Sequence, residues 1–475
     1  MLWNALQRKS VWILVAVLLL GFAIRVYRIW ETPMYGDELT MVYDIYSISK
    51  TGMDSTGQKF PLTFHMGSGR PGGYIYFSVP FVELFGPTVW GERSLSLLSG
   101  LGIIVLVYFL GKKLFDYRVG TIAALLMAIS PWEIYLSRAG YEAHFALFLA
   151  LLGVTAFVYK KYIWWGVAWG VAIHTYPTFK LTLPLMLVLL VALEGFSKLV
   201  KDKIFIIGCT VLAFFGMLAA FQTFGANSEQ RFLSENIFSI QSIHEDIVQR
   251  VNSERTESTL PEFLKPIFIN KQIEYSRILF ENYVKNLSPE FLILRGDLNP
   301  RQNPAEMGML YIVDLPLILI ALSILWKEKK KEFLLLLFWI LVTPLATMFM
   351  PETHGLRNGL MLPSLILLSA VALTRIQKKF MYTAFALMVL QLVYILVRVY
   401  FVAPNKFASF WSAKAKEVSL DAIEKSSQGE KITLSTKNID NIEYAYEVYA
   451  KVNPREVIAQ YGKFPKKFGS VTITD

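Results

Sequence analysis

The sequence predicts a polytopic α-helical membrane protein: about eleven spanning helices, outer-face loops and a small C-terminal α/β extension. Three observations predict it. The 475 residues are 54% hydrophobic and 18% charged, with a mean hydropathy of +0.43; soluble domains run nearer roughly 45–50% apolar and about 25% charged. Eleven stretches approach the roughly 20 mostly apolar residues that a spanning helix needs. Basic residues recur in every second gap between them. This pattern excludes a disordered chain, a coiled coil and an ordinary cytosolic enzyme. The single cysteine, Cys209, excludes an intramolecular disulfide. The net charge of +10 does not indicate nucleic acid, because the positive residues sit in short clusters between apolar runs.

The spans are read at 10–29, 93–111, 119–136, 143–159, 162–178, 181–196, 204–223, 308–326, 333–350, 359–374 and 380–402. Seventeen lysines and arginines, from Arg8 and Lys9 to Lys378 and Lys379, occupy the N-terminus and alternate gaps. The positive-inside rule places these in the cytoplasm, and an odd number of spans then places the C-terminus outside. The first span is read as uncleaved, since Arg25 and Arg28 follow a long apolar core with no small-x-small site. The expected location is the plasma membrane, crossed many times. The expected division is a transmembrane region, 1–402, with outer loops 30–92 and 224–307, followed by a small extracytoplasmic unit, 403–475.

The first outer loop carries the chemistry. It opens on Tyr35-Gly36-Asp37-Glu38, continues through an amphipathic run at 39–50, and reaches an aromatic helix from Arg70-Pro71-Gly72-Gly73-Tyr74 to Phe85 that is too short to span. Four of the five histidines, His65, His144, His174 and His354, fall at or near the outer ends of spans or in this loop. Polar groups at that depth are costly unless they line a cavity, which predicts an outward-facing polar site. A carboxylate there can take a proton from a hydroxyl nucleophile, and arginines can hold a departing phosphate. The structural alternatives are that Asp37 and Glu38 cap the loop helix, Arg138 snorkels at the end of its span, and Glu142 caps the next one. Asp37, Glu38 and His65 are weak evidence for a divalent metal, and metal-independent chemistry is favoured.

In the tail, 412–425 reads as a helix, Lys431–Ser435 as a strand, Asn441–Val452 as a tyrosine-rich helix and Gly469–Thr474 as a strand. About seventy residues make a small core, so this unit is expected to pack on the large outer loop.

An ordered set of motifs resembles the bacterial family-39-type glycosyltransferases of the polytopic GT-C class, which includes the protein O-mannosyltransferases and the lipid A aminoarabinose transferase. The marks are Gly36-Asp37-Glu38, Arg70-Pro71, Glu92-Arg93, Ser130-Pro131-Trp132, Ser137-Arg138 and His354-x-x-Arg357, with Asn286-Leu287-Ser288-Pro289 through Arg301 in the second outer loop. The resemblance implies an inverting transfer on the outer face, from a polyprenyl-phosphate sugar to a hydroxyl of a protein, lipid or glycan acceptor. It implies Asp37 and Glu38 as the catalytic acid pair, and Arg70, Arg138, His354 and Arg357 near the donor phosphate. Relatives often carry a lysine where Arg70 stands, and some carry a glutamate where Gly69 stands, so Glu142 is the nearest candidate for a second carboxylate or an acceptor contact. Two other classes share the many spans. A lipid-linked sugar transporter or flippase would use both membrane faces, and an oligosaccharide polymerase or ligase would take a longer glycan.

Overall fold

The computed structural model describes residues 2–65, 69–223 and 236–475. A helix lies in each of the eleven apolar stretches. In chain order these begin with α1 (Leu2–Val26), the outer-loop helices α2 (Gly36–Thr51) and α3 (Gly73–Phe85), then α4 (Val89–Leu114). After them come α5 (Tyr117–Ile129), α6 (Pro131–Ser137), α7 (Glu142–Val158), α8 (Tyr162–Ile173), α9 (Phe179–Glu194) and α10 (Lys203–Thr223). The second outer loop, whose first residues lie outside those described, contributes α11 (Gln241–Glu257) and α12 (Lys271–Lys285). The bundle resumes with α13 (Asp314–Glu328), α14 (Lys330–Val342), the single turn α15 (Gly355–Asn358), α16 (Leu362–Arg375) and α17 (Lys378–Val397).

Among the described residues, four helical segments are long and apolar enough to cross a membrane on length and composition alone: Val89–Leu114, Lys203–Phe221, Gly355–Arg375 and Lys378–Lys406. The stretch 119–136, expected as one span, is two helices bent by 58°. Pro131 cannot continue the ladder of α5, and Ser130 caps the new helix by accepting from the Glu133 amide. Val89–Leu114 and Gly355–Arg375 are mostly buried in the bundle, whereas Lys203–Phe221 and Lys378–Lys406 present mostly open apolar faces, as helices against lipid would.

The tail forms α18 (Ala413–Ser427), β3 (Ile432–Ser435), α19 (Ile442–Tyr449), α20 (Pro454–Ala459), β4 (Lys466–Phe468) and β5 (Val471–Thr474). Strand order is β3-β5-β4, with β3 parallel and β4 antiparallel to β5. The expected packing of this unit on the large outer loop is corrected: its apolar face shares a core with the first outer loop. Leu39, Val42 and Ile45 of α2 cluster with Ile442, Ala445 and Val448 of α19 and with Val471 and Ile473 of β5. The reason is local. α2 is buried on nearly every face, so its outward side needs an apolar partner. A second, larger core runs through the bundle.

Candidate active site

Three segments bring the site together. The first is the start of α2. Gly36 precedes Asp37 because a Cβ at this position would sit 2.7 Å from the Asn441 side chain of the tail unit. Asp37 and Glu38 follow on one turn and diverge. The Asp37 side chain is 50% exposed, and Arg70 approaches its Oδ1 at 3.2 Å. Arg70 stands in the two-stranded hairpin of β1 (Thr63–Phe64) and β2 (Arg70–Pro71), which pins it beside α2. Its buried guanidinium also lies 3.7 Å from Glu142 and donates to Thr40. One arginine therefore gathers two carboxylates, Asp37 and Glu142, on the same wall.

The second segment is the turn at the start of α7, where Tyr141 and Glu142 face the same space. The third is the α15 turn with His354 and Arg357, held from both sides of Gly355. The Trp132 indole donates to the Gly355 carbonyl at 3.0 Å, and the Gly355 amide donates to Asp297 at 2.5 Å. Burial pushes the Asp297 carboxyl up to about 6, against the amides of Gly355 and Asn299 that favour its charged form. The Ser-Pro-Trp motif thus positions the His-x-x-Arg turn.

These segments enclose a cavity of about 450 Å³ lined by Asp37, Glu142, Arg301, Glu352, His354 and Arg357, with Tyr35, Tyr141 and Tyr176 among its aromatic walls. Asp37 and Glu142 supply carboxylates from the first two segments, and the third brings the His354 imidazole and the Arg357 guanidinium to the lining together with Glu352. Arg301 was missed as a site residue in the sequence. It lies 4.9 Å over the Tyr35 ring and donates to the Phe410 carbonyl, and Tyr141 donates to its own carbonyl. Its only sequence signal is its place at the end of the second outer loop's motif.

Several expected site residues are elsewhere. Glu38 is fully buried and takes both its oxygens to Arg93 at 2.6 Å, with a further bond from the Gly140 amide at 2.7 Å. Arg93 also donates to the carbonyls of Ile29, Thr32 and Pro33, so this pair ties α2 and α4 to the end of the first span. Glu38, expected in the catalytic pair, has the geometry of an anchor and does not line the cavity. Arg70, expected near the donor phosphate, contacts the carboxylates of Asp37 and Glu142 and does not line the cavity. Arg138 donates to the carbonyls of Ile24, Arg25 and Tyr27 and packs 4.8 Å over Tyr400. It lines a separate small cleft, not this cavity.

The histidines divide likewise. His144 sits between Ser96 and Glu133, at 2.9 Å from each, and Arg25 completes that buried network at Glu133. His174 contacts the Phe215 carbonyl, and His65 is exposed beside Tyr461. Among the described residues no three His, Cys, Asp or Glu side chains converge as a metal site requires.

The architecture has close structural counterparts. The chain superposes on apo ArnT from Cupriavidus metallidurans with a TM-score of 0.54 and 13% identity, covering 93% of this chain and 85% of that one. It superposes on the oligosaccharyltransferase AglB from Archaeoglobus fulgidus, solved with an inhibitory peptide and a dolichol-phosphate, with a TM-score of 0.51 and 14% identity, over 94% of this chain and 64% of that one. The chain has the GT-C fold. Residues 70–219 match the model of the dolichyl-phosphate-mannose-protein mannosyltransferase family. A segment of 151 residues is 27% identical to YycA of Bacillus subtilis (strain 168), provisionally named a mannosyltransferase; it spans 30% of this chain and 20% of that protein. The resemblance drawn from the ordered motifs is therefore shared by sequence and structure. In GT-C terms, the matched segment carries Arg70, Glu142 and the Ser-Pro-Trp motif, while Asp37, Arg301, His354 and Arg357 lie outside it.

Proposed function

We propose that this protein is an inverting glycosyltransferase that moves a sugar from a polyprenyl-phosphate donor to a hydroxyl acceptor on the outer face of the membrane. The observation that carries the reading is the half-exposed Asp37 carboxylate, oriented by buried Arg70, facing a cavity whose other wall holds His354, Arg357 and Arg301. Asp37 accepts the proton of the attacking hydroxyl as the new bond to the anomeric carbon forms. The bond from that carbon to the phosphate oxygen breaks on the opposite face, its electron pair leaves with the phosphate, and configuration inverts. His354, Arg357 and Arg301 stabilise the charge that develops there. Glu142, sharing Arg70, orders the acceptor. Only this chain's side chains are needed for these roles, and no metal is assigned. The N-terminus is placed in the cytoplasm and the C-terminal unit outside, in line with the basic gaps.

The test is Asp37→Asn, which preserves shape and removes the base. In membranes given labelled polyprenyl-phosphate sugars, the variant should bind donor yet transfer no label. Near-normal transfer by Asp37→Asn would remove Asp37 from the chemistry.

A further inference from the structure

A second cavity, of about 200 Å³, lies between α2 and the C-terminal unit, one helical turn along α2 from Asp37. Thr40 is the connecting residue. It lines the second cavity, and its hydroxyl donates to the Asp37 carbonyl at 3.0 Å and accepts from Arg70. Tyr43, Tyr444, Tyr461 and Phe464 supply aromatic walls. At one end Lys466, itself 3% exposed, is held between Glu443 and Glu447, contacting Oε1 of each.

The charges narrow the ligand. Lys466, the one cation among the described lining residues, is already held between two carboxylates, which disfavours a phosphate or another anion. An organic cation would have to displace the internal ammonium from its two partners. Burial pushes the Glu447 carboxyl up to about 7, which reduces the surplus negative charge further. What the cavity does offer is ring faces and hydrogen-bonding capacity. Lys466 bonds one oxygen of each carboxylate and not the other, and an ammonium has three protons of which two are used. Apolar walls with a few convergent polar groups are the pattern of a small-molecule site, and the volume lies below the roughly 300–1,000 Å³ of sites for drug-sized ligands.

We propose that this cavity binds one neutral saccharide ring, a unit of the acceptor distal to the reacting hydroxyl. The link to an acceptor rests on the glycosyltransferase reading above; the binding of a saccharide does not. The ring lies against Tyr461 and Phe464, and its hydroxyls bond the Lys466–Glu443–Glu447 group. The acceptor is then itself a glycan or a glycosylated molecule, which makes the enzyme an extender of existing sugar chains.

The test uses the full-length protein in detergent with the methyl glycosides of mannose, glucose, galactose and N-acetylglucosamine, read by saturation-transfer NMR. At least one glycoside should give a signal. Tyr461→Ala should reduce it at least fivefold, whereas Tyr461→Phe, which keeps the ring face, should retain it. Asp37→Asn should also retain it, because Asp37 lines only the other cavity. Tyr461 is partly exposed, so its truncation should leave thermal unfolding unchanged. No signal with any glycoside, an unchanged signal in Tyr461→Ala, or loss of signal in Asp37→Asn would overturn the proposal. A signal with the expected variant pattern, in a protein that transfers no sugar from any polyprenyl phosphate, would preserve the saccharide site and remove the transferase reading.

Discussion

At the scale of residues, neighbours in the chain acquire opposite roles. Asp37 and Glu38 are adjacent carboxylates on the first turn of α2. One is half open to the cavity, and the other is buried against Arg93. Removing one partner of a buried ion pair costs about 3–5 kcal/mol, because the other charge is left uncompensated. Glu38→Gln should therefore lower the unfolding temperature and the yield of folded protein. A variant that melts normally but transfers nothing would return Glu38 to the chemistry. The arginines separate in the same way. Arg357→Ala should fold and lose roughly a hundredfold in turnover, as expected when one donor to a developing oxyanion is removed. Arg138→Ala should instead lose stability, since its guanidinium joins three carbonyls and the Tyr400 ring. Equal losses of turnover in two equally stable variants would contradict this division.

At the scale of elements, the α15 turn depends on contacts distant in sequence. Asp297 holds its N-terminal end and Trp132 holds the same residue from the bundle side. Burial sets the Asp297 carboxyl at about 6 in the folded protein, above the ordinary 3.8. The folded state therefore binds this proton more tightly than the unfolded chain. The associated stability is present below about pH 4 and is lost as pH rises through 6. The difference corresponds to roughly 3 kcal/mol at most. In thermal unfolding from pH 4 to 7, Asp297→Asn should gain stability relative to wild type as pH rises; a constant offset would refute this. The short element at 131–137 illustrates a related point. The stretch expected as one span breaks at Ser130-Pro131 with a bend of 58°, and Trp132, just past the break, donates to Gly355.

At the scale of the whole molecule, the tail and the first outer loop form one cored unit over the bundle. Truncation after residue 412 should strip the apolar partner from α2 and make the first outer loop sensitive to protease. An intact loop in the truncated protein would show that α2 stands alone. Topology is tested by a reporter fused after residue 475, which should be active only outside the membrane. A cytoplasmic signal there would place the tail and the cavity on the wrong side for the proposed reaction.

Composition and hydropathy are local sums, so the chain alone sufficed to indicate a helical membrane protein, its apolar stretches and four of the tail's elements, while the short α20 and β4 were not legible in it. The motif order also sufficed for the GT-C resemblance that the fold bears out. Side-chain roles were less legible. Arg70, Arg138 and Arg357 are indistinguishable by residue type and by their expected place on the outer face, and only the packed structure separates them. A long charged side chain is assigned by the partners that reach it, and these stand far away in sequence: Asp37 and Glu142 for Arg70, the carbonyls of Ile24, Arg25 and Tyr27 for Arg138. Asp297 and Arg301 stand in the second-loop motif, yet the sequence assigns them no role, since their value lies in standing beside Gly355 and Tyr35. The seat of the tail on α2 was decided in the same way. Hydrophobic burial is non-directional, so an apolar face states that it needs a partner, and the tertiary fold determines which one it meets.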